Sequence, residues 1–167
     1  MDNQNENSMA LLQQYADLPG QLKKALYGLS VNNYSLTLAA GKWTIREIVH
    51  HLVDADSLVH TLVMVALGNS GCVYDQTWYK TDNSWAQILK YQQRSVDIAL
   101  ALFKTNHQSL VELLKILPDG LERYIILRWE KDQQGSKITV EQLIKSRIHH
   151  TQHHIAQIID TRKVHKI

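Results

Sequence analysis

Four of the nine histidines lie close together near the C-terminus, in the run Ile148-His149-His150-Thr151-Gln152-His153-His154. Two pairs, His149/His153 and His150/His154, have the i, i+4 spacing that places both imidazoles on one side of a helix, about one turn apart. Such a pair can hold a single metal ion. In a helical projection His150 and His154 lie at the edge of the apolar arc, whereas His149 and His153 face the polar side. The pattern therefore selects His150 and His154 as candidate metal ligands.

A third candidate ligand lies on an earlier predicted helix. The capping box Thr44-Ile45-Arg46-Glu47 begins this helix, because the threonine oxygen and the glutamate carboxylate can each accept from a free backbone amide. We predict that the helix runs to about Leu67. His51 lies on the border of its apolar arc, while His50 turns about 100° away toward the polar side. Of these two adjacent histidines, His51 is the one that can face the interior of a helical bundle.

Catalytic zinc sites commonly take three protein ligands and leave a further position open to water or substrate. His51, His150 and His154 supply such a set if their helices face each other. Neutral imidazole binds zinc, nickel, iron and cobalt alike, so the ligands do not name the metal. Asp54, on the same predicted helix as His51, is placed to orient a ligand or to act as a local base. A histidine-rich helix is also compatible with a surface pH sensor or with adventitious metal binding.

Composition narrows the class of protein. With 167 residues and 44% hydrophobic residues, we expect one domain spanning 1–167, with a disordered leader over 1–8. The net charge of +2 comes without a basic run interleaved with aromatics, which argues against nucleic acid as a partner. The single cysteine, Cys72, fits a reducing compartment, and we interpret it as a spectator. We see no secretory signal and no apolar run of about 18–20 residues, so we expect a cytoplasmic protein without a membrane span.

The remaining elements predict an all-α fold. Apolar periodicity indicates an N-terminal helix with a kink or break at Pro19-Gly20, and a long helix with a bend near Asn106. A capping box starting at Thr139 begins the helix that carries the histidine run. Four amphipathic helices favour a four-helix bundle. Besides the helix starting at Thr44, the predicted segments are a helix over 11–29, a loop over 69–83, a helix over 84–117, an extended excursion or loop over 124–129, and a helix over 139–163.

Three motifs resemble those of the DinB/YfiT-like metalloprotein family. The stretch from Lys42 to Asp54, KWTIREIVHHLVD, resembles the family's W-T-x-R-x-x-x-x-H-L-x-D signature. Val73-Tyr74-Asp75 resembles its P-Y-D loop, and the stretch from His150 to Ile158 resembles its closing H-x-x-H-H-x-x-x-I. The matches come in family order and extend over nearly the whole chain.

This resemblance implies a four-helix bundle in which three histidines bind one divalent metal ion, usually zinc or nickel, with waters completing the shell. Carried over by motif, the ligands fall on His51, His150 and His154. Members are often described as metal-dependent hydrolases, and better-understood relatives use low-molecular-weight thiols such as bacillithiol or mycothiol as co-substrates. The resemblance also implies a homodimer.

The chain departs from the YfiT-like branch at two places. That branch carries an H-P-E/D element before the last helix, where this chain reads Arg128-Trp129-Glu130-Lys131-Asp132. Val73 stands where the branch has proline. Both departures fall in connecting segments, which is where relatives with different substrates diverge.

Our leading hypothesis is a metal-dependent enzyme that transfers a thiol to an electrophilic small molecule. A second hypothesis keeps the site and replaces the thiol with water, which would hydrolyse an ester, amide or lactone. A third is a non-catalytic, stress-related bundle with a structural metal. Arg46 is a candidate partner for a substrate carboxylate or a surface charge, and Tyr74 and Asp75 are candidates for pocket lining or turn residues.

Overall fold

The computed structural model describes residues 2–79, 84–129 and 134–167. Residues 80–83 of the predicted loop and 130–132 of the stretch that departs from the family element therefore lie outside the described residues. Within the described ranges the chain forms five α-helices, two short 3-10 helices and three strands. The helices are α1 (Asp2–Leu26), α2 (Ile45–Gly68), α3 (Ser84–Ile88), α4 (Val96–Ile116) and α5 (Val140–His165); the strands are β1 (Val73–Asp75), β2 (Tyr124–Arg128) and β3 (Ser136–Thr139); the 3-10 helices are Val31–Ser35 and Tyr91–Gln93.

Four of the helices form the predicted bundle. Helix α1 contacts α4 and α5, and α2 contacts the same two helices, so α1 and α2 lie diagonally opposite each other. Fully buried side chains from all four helices meet in one apolar core, including Leu22 of α1, Leu52 of α2, Leu110 of α4 and Ile144 of α5. The prediction of a four-helix bundle is thus confirmed, and the second and last helices, which carry the candidate ligands, are in contact.

Two capping boxes position the helices that carry the histidines. At the start of α2 the Glu47 amide donates to the Thr44 hydroxyl oxygen (3.2 Å), and the Thr44 amide donates to the Glu47 carboxylate (2.8 Å). Thr139 and Gln142 make the same reciprocal pair at the start of α5, at 3.2 and 2.9 Å. Both predicted helix starts are confirmed.

A small sheet corrects the all-α prediction. Strand β2 pairs in parallel with β1 and antiparallel with β3, in the order β1-β2-β3. The segment predicted as an extended excursion or loop becomes a strand because its side chains alternate, with Ile125 and Leu127 buried against the core. Strand β1 lies in a segment predicted to be a loop; its three residues become a strand by pairing with β2.

The predicted long helix over 84–117 is in fact broken. Helix α3 ends at Ile88, and Lys90 adopts a left-handed conformation (φ 52°) that stops the helix. A new helix, α4, begins after Ser95, whose hydroxyl oxygen accepts from the Ile98 amide (3.3 Å). Helix α4 then continues through Asn106, where a bend was predicted, without interruption of the helix.

Helix α1 differs from its prediction at two points. It begins at Asp2, so the predicted leader over 1–8 is helical from that residue onward. It also runs through Pro19 without a break. Leu18 and Leu22, on either side of the proline, are fully buried, and their packing offsets the loss of one backbone hydrogen bond.

One described helix, α2, is long and apolar enough by composition to cross a membrane. Of its most apolar window, 44% is buried inside the molecule. A core helix passes the same test, and the contacts of α2 with α4 and α5 are those of a core helix.

Candidate metal centre

The structure brings the three predicted ligands together. His51 from α2 and His150 and His154 from α5 each direct one ring nitrogen to a common point, and these nitrogens lie within 4.8 Å of one another. The Nε2 atoms of His51 and His150 are 3.0 Å apart. Nitrogens bound to one tetrahedral zinc ion lie about 3.3 Å apart, given bonds of about 2.0–2.1 Å. The donor set therefore fits a divalent metal ion.

Burial keeps these three histidines neutral. The pKa of His51 is lowered to about 3, chiefly by burial and in smaller part by the neighbouring His154 and Arg147. Burial also lowers the pKa of His150 and of His154, with positive groups nearby acting in the same direction. Only neutral imidazole has a free lone pair for a metal, so all three rings are in the ligating form at neutral pH.

Gln157 fixes the tautomer of one ligand. The Gln157 amide oxygen can only accept, so the His154 Nδ1–H donates to it (2.8 Å), which leaves Nε2 of His154 with its lone pair free. The Gln157 amide nitrogen in turn donates to Nε2 of His153 (3.0 Å). We did not select Gln157 from the sequence; the signal was its i, i+3 spacing from His154, which puts the two side chains on one helix face.

Trp43 covers the histidine rings. Its ring centre lies 4.4 Å from that of His51 and 5.8 Å from that of His154. It also lines a cavity of about 370 Å³ next to His154 and a smaller one of about 40 Å³ next to His51. Trp43 therefore packs against two of the candidate ligands and lines both cavities beside them.

Asp54 lies beside the histidines but is already paired. Its two carboxylate oxygens accept from the Arg94 guanidinium group at 2.6 and 2.9 Å, and Tyr91 also hydrogen-bonds to it. Asp54 and His51 line the same small cavity. The predicted alternatives for Asp54 were to orient a metal ligand or to act as a local base. A carboxylate fixed by a bidentate ion pair fits the role of a local base less well.

The side chains of Arg46 and His50 both hydrogen-bond to the backbone of Arg94. Arg46 was predicted to pair with a substrate carboxylate or to be a surface charge, and His50 was predicted to face the polar side of α2. Arg46 donates from Nη1 to the Arg94 carbonyl oxygen (2.9 Å), which makes it a contact between two backbone segments and not part of the lining of the cavities at His51 and His154. His50 is fully buried, not on the polar side, because it donates to the same carbonyl oxygen (3.2 Å) and packs against Tyr91. The Arg94 carbonyl oxygen accepts from both side chains, and we did not select Arg94 from the sequence.

For Tyr74 and Asp75 the predicted alternatives were pocket lining and turn residues. They belong to β1 and are absent from the described lining of the cavities at His51 and His154. Tyr74 packs against the core, and the exposed Asp75 accepts from the Thr77 amide (2.9 Å), which lowers the pKa of its carboxyl. Asp75 is thus a turn residue at the end of a strand, one of the two alternatives considered for it.

The fold and the site together define a class: helical bundles whose interior presents three neutral histidines to one metal position. A family model for the DinB superfamily matches residues 14–158, and the chain belongs to that superfamily. The resemblance seen in the sequence motifs is confirmed.

Relatives and solved structures agree with this assignment. A protein of Oceanobacillus iheyensis is 27% identical over 146 residues, 85% of this chain and 78% of its own. One of Bacillus cereus is 28% identical over 153 residues, 91% of this chain and 83% of its own. Both carry the words "metal-dependent hydrolase" in their names.

Two solved structures have a similar fold. YfiT from Bacillus subtilis, described with the same words and with an unusual four-helix bundle topology, superposes with a TM-score of 0.81 at 22% identity, over 96% of this chain and 89% of its own. A mycothiol-dependent maleylpyruvate isomerase superposes with a TM-score of 0.67 at 12% identity, over 90% of this chain and 60% of its own.

Proposed function

We propose that this protein is an enzyme that depends on one divalent metal ion, zinc or nickel, held by His51, His150 and His154. The observation that carries the proposal is the convergence of three neutral imidazole nitrogens without a fourth protein ligand among the described residues. A structural zinc site is usually closed by four protein ligands, whereas a catalytic one keeps a position open. The relatives named as metal-dependent hydrolases support the same class.

Within that class we propose transfer of a low-molecular-weight thiol to an electrophilic small molecule. A bound divalent ion supplies Lewis acidity, which lowers the pKa of a thiol or a water at its open position. A thiol starts near a pKa of about 8.5, far below that of water, so a bound ion has to lower its pKa much less for the thiolate to form at neutral pH without a protein base. Among the described residues, the acidic group beside the histidines is Asp54, and Arg94 and Tyr91 engage its carboxylate. The site thus favours a nucleophile that loses its proton without a protein base.

The chain's own groups contribute orientation and exclusion of water. Gln157 holds His154 in the ligating tautomer, and Trp43 shields two of the rings from solvent. The Asp54–Arg94 pair anchors the segment around Tyr91 to α2 one turn after His51. In the transfer the thiol proton goes to solvent, sulfur bonds to carbon, and the leaving group departs with its electron pair.

Hydrolysis is the second candidate, and the names of the relatives are the observation that favours it. It uses the same ligands and the same open position, with water as the nucleophile. The two candidates differ in what they consume, so one set of assays separates them.

The test uses the full chain loaded with zinc or nickel, the same protein after chelation, and the chelated protein after metal is returned. One assay follows thioether formation from cysteine and 1-chloro-2,4-dinitrobenzene, and a second follows hydrolysis of p-nitrophenyl acetate. We expect thioether formation above background that falls at least about 100-fold on chelation and returns with metal. If the hydrolysis assay depends on metal and the thioether assay does not, hydrolysis replaces thiol transfer as the proposed reaction. Equal rates with and without metal would remove the metal-dependent enzyme altogether.

A further inference from the structure

A third cavity, larger than the two beside His154 and His51, adjoins the candidate metal centre. Its volume is about 480 Å³, and helices α2 and α5 and strands β2 and β3 wall it. The small cavity that contains His51 shares three of its lining residues, Ala55, Leu58 and Tyr79. The two cavities therefore lie side by side along one face of α2, and a molecule in the larger one can extend toward the histidines.

Two buried polar side chains in this cavity lack partners among the described residues. Arg147 is 7% exposed, yet its Nε and Nη1 atoms have no hydrogen-bond acceptor there. Gln76 is 5% exposed, and its side-chain oxygen has no donor. A buried charged donor without an acceptor is costly unless a ligand supplies one. Both residues line the same space, so a ligand with an acceptor for Arg147 and a hydroxyl or N–H donor for the Gln76 oxygen would satisfy both.

Asp56 does not neutralise Arg147 by direct contact. It is the buried carboxylate that acts most strongly on the Arg147 guanidinium, but the two groups are not within ion-pair distance. The Asp56 carboxylate instead accepts from the Tyr15 hydroxyl (3.2 Å) and lies 3.6 Å from His107. Burial lowers the pKa of Arg147, which shows how poorly its charge is solvated. The N–H donors on Nε and Nη1 of Arg147 thus lack an acceptor that the described residues could supply.

The rest of the cavity indicates what that anion is attached to. Most of the wall is apolar, and includes Leu62 of α2, Leu127 of β2, Ile138 of β3 and Leu143 of α5. Lys137 also lines the cavity, but it is exposed and its ammonium lies over the Tyr124 ring (4.1 Å), so Arg147 is the buried cation of the described wall. One buried cation matches a single negative charge, and a planar carboxylate accepts two parallel hydrogen bonds from guanidinium. A doubly charged phosphate would leave one charge unbalanced in an apolar space.

We infer that this cavity binds the substrate of the proposed enzyme as an organic acid with an apolar body and one carboxylate, held at Arg147. This assignment of the substrate class rests on the proposed function for the chemistry at the histidines. Arg147 lies three residues before His150, about 4.5 Å along the helix axis. The reacting carbon of the substrate thus lies a few bonds from the carboxylate, on the side of the histidines.

Binding of a simple probe tests the inference without turnover. Isothermal titration at about pH 8 compares 4-phenylbutanoate with its neutral amide, 4-phenylbutanamide, on metal-loaded and on metal-free full-length protein. We expect the acid to bind at least about tenfold more tightly than the amide in both forms, because a hydrogen bond to a charged group contributes that much. Since no reaction is measured, this result stands or falls independently of the enzyme assays.

Three variants locate the effect. Arg147→Met removes the charge, and we expect the acid preference to disappear. Arg147→Lys keeps a positive charge near Asp56, so the fold is retained, and we expect the preference to fall below about threefold because the fork geometry is lost. Lys145→Met removes an exposed charge on the same helix as the matched control, and the preference should be unchanged. Circular dichroism checks the fold of each variant.

Four results would overturn the inference. They are equal binding of acid and amide by the parent, no binding of the acid, a preference that survives Arg147→Met, and a preference seen only in the metal-loaded form. The last would place the carboxylate on the metal and not on Arg147.

Discussion

Two of the side-chain clusters that contain histidine in the described bundle differ in the kind of contact that their rings make. In one, His107 packs between Tyr15 and Phe103, with ring centres 4.1 and 4.2 Å away. Its Nδ1–H donates to the Phe103 carbonyl oxygen (2.8 Å) and lies 3.6 Å from the Asp56 carboxylate. In the other, the nitrogens of His51, His150 and His154 face one another without a carboxylate among them.

This difference shows that burial alone does not identify a metal site. Burial lowers the pKa of His107 to about 4, much as it lowers that of His51 to about 3. The ring of His107 nevertheless finds its acceptor within the protein. Three imidazoles around one point cannot satisfy each other in the same way, because a pair of neutral rings shares a single hydrogen bond. The convergence of free nitrogens is what points to a metal, and the following predictions test that distinction.

The largest effect is expected for His150→Ala. A zinc site with four ligands binds with about 10–16 kcal/mol, or about 3–4 kcal/mol for each ligand, so we expect affinity to fall roughly 10²–10³-fold. The helical fold should be kept, because the other ligands and the core remain. Elemental analysis of the untagged protein and circular dichroism measure the two. His149→Ala, an exposed neighbour, is the matched control and should keep its metal. Unchanged metal content in His150→Ala would refute the ligand assignment.

Asp56→Ala should give the opposite pattern. Removing this carboxylate leaves the Tyr15 hydroxyl without its acceptor and Arg147 without its nearest buried counter-charge. We expect the free energy of unfolding to fall by about 2–3 kcal/mol, because a buried hydroxyl loses its hydrogen-bond acceptor and a buried guanidinium loses a compensating charge. Metal content should stay at the parental level. Denaturant unfolding and elemental analysis provide the check, and a loss of metal without a loss of stability would mean that the two clusters are not separate in function.

The smallest effect is expected from pH. Histidines with an ordinary pKa near 6.5 would together lose roughly 60-fold in zinc affinity between pH 8 and pH 6 through competition with protons. Here the pKa of each ligand is lowered, so the neutral form persists below pH 6.5, and protons compete only as the pH approaches the lowered values. We therefore expect less than about a threefold change over that range, measured by competition with a chelator of known pH dependence. A loss of tenfold or more would show that the rings are solvated like surface histidines.

Features that depend on neighbouring residues were predictable from the sequence. The capping boxes at Thr44 and Thr139 are local hydrogen-bonding patterns, and both helices begin where predicted and end within two residues of the predicted ends. Helical phase is local as well, and it selected the faces of His51, His150 and His154. Only their meeting requires the bundle, which four amphipathic helices make the economical arrangement.

Features that depend on distant partners were not predictable in the same way. The break between α3 and α4 is an exception, because Ser95 caps the start of α4 through a local hydrogen bond to the Ile98 amide, and we did not use that signal. Strand β1 is three residues long and exists through pairing with β2. For that reason Asp75 was considered for a pocket it does not line, while Gln76, the next residue, does line one. Arg46 was likewise considered as a partner for a substrate carboxylate. The acceptor it contacts, the Arg94 carbonyl oxygen, lies 48 positions away and could not be inferred from neighbouring residues.

The separation of the ligands along the chain has a thermodynamic consequence. His51 and His150 are 99 positions apart, so an unfolded chain rarely brings them together, and a metal ion that binds all three histidines binds the native state almost alone. Free ion at a thousandfold excess over its dissociation constant then adds about 4.1 kcal/mol to the free energy of unfolding by mass action. The resistance of this protein to heat and to proteolysis would thus follow the supply of metal in its surroundings, and the same ion would govern both how the protein works and how long it persists.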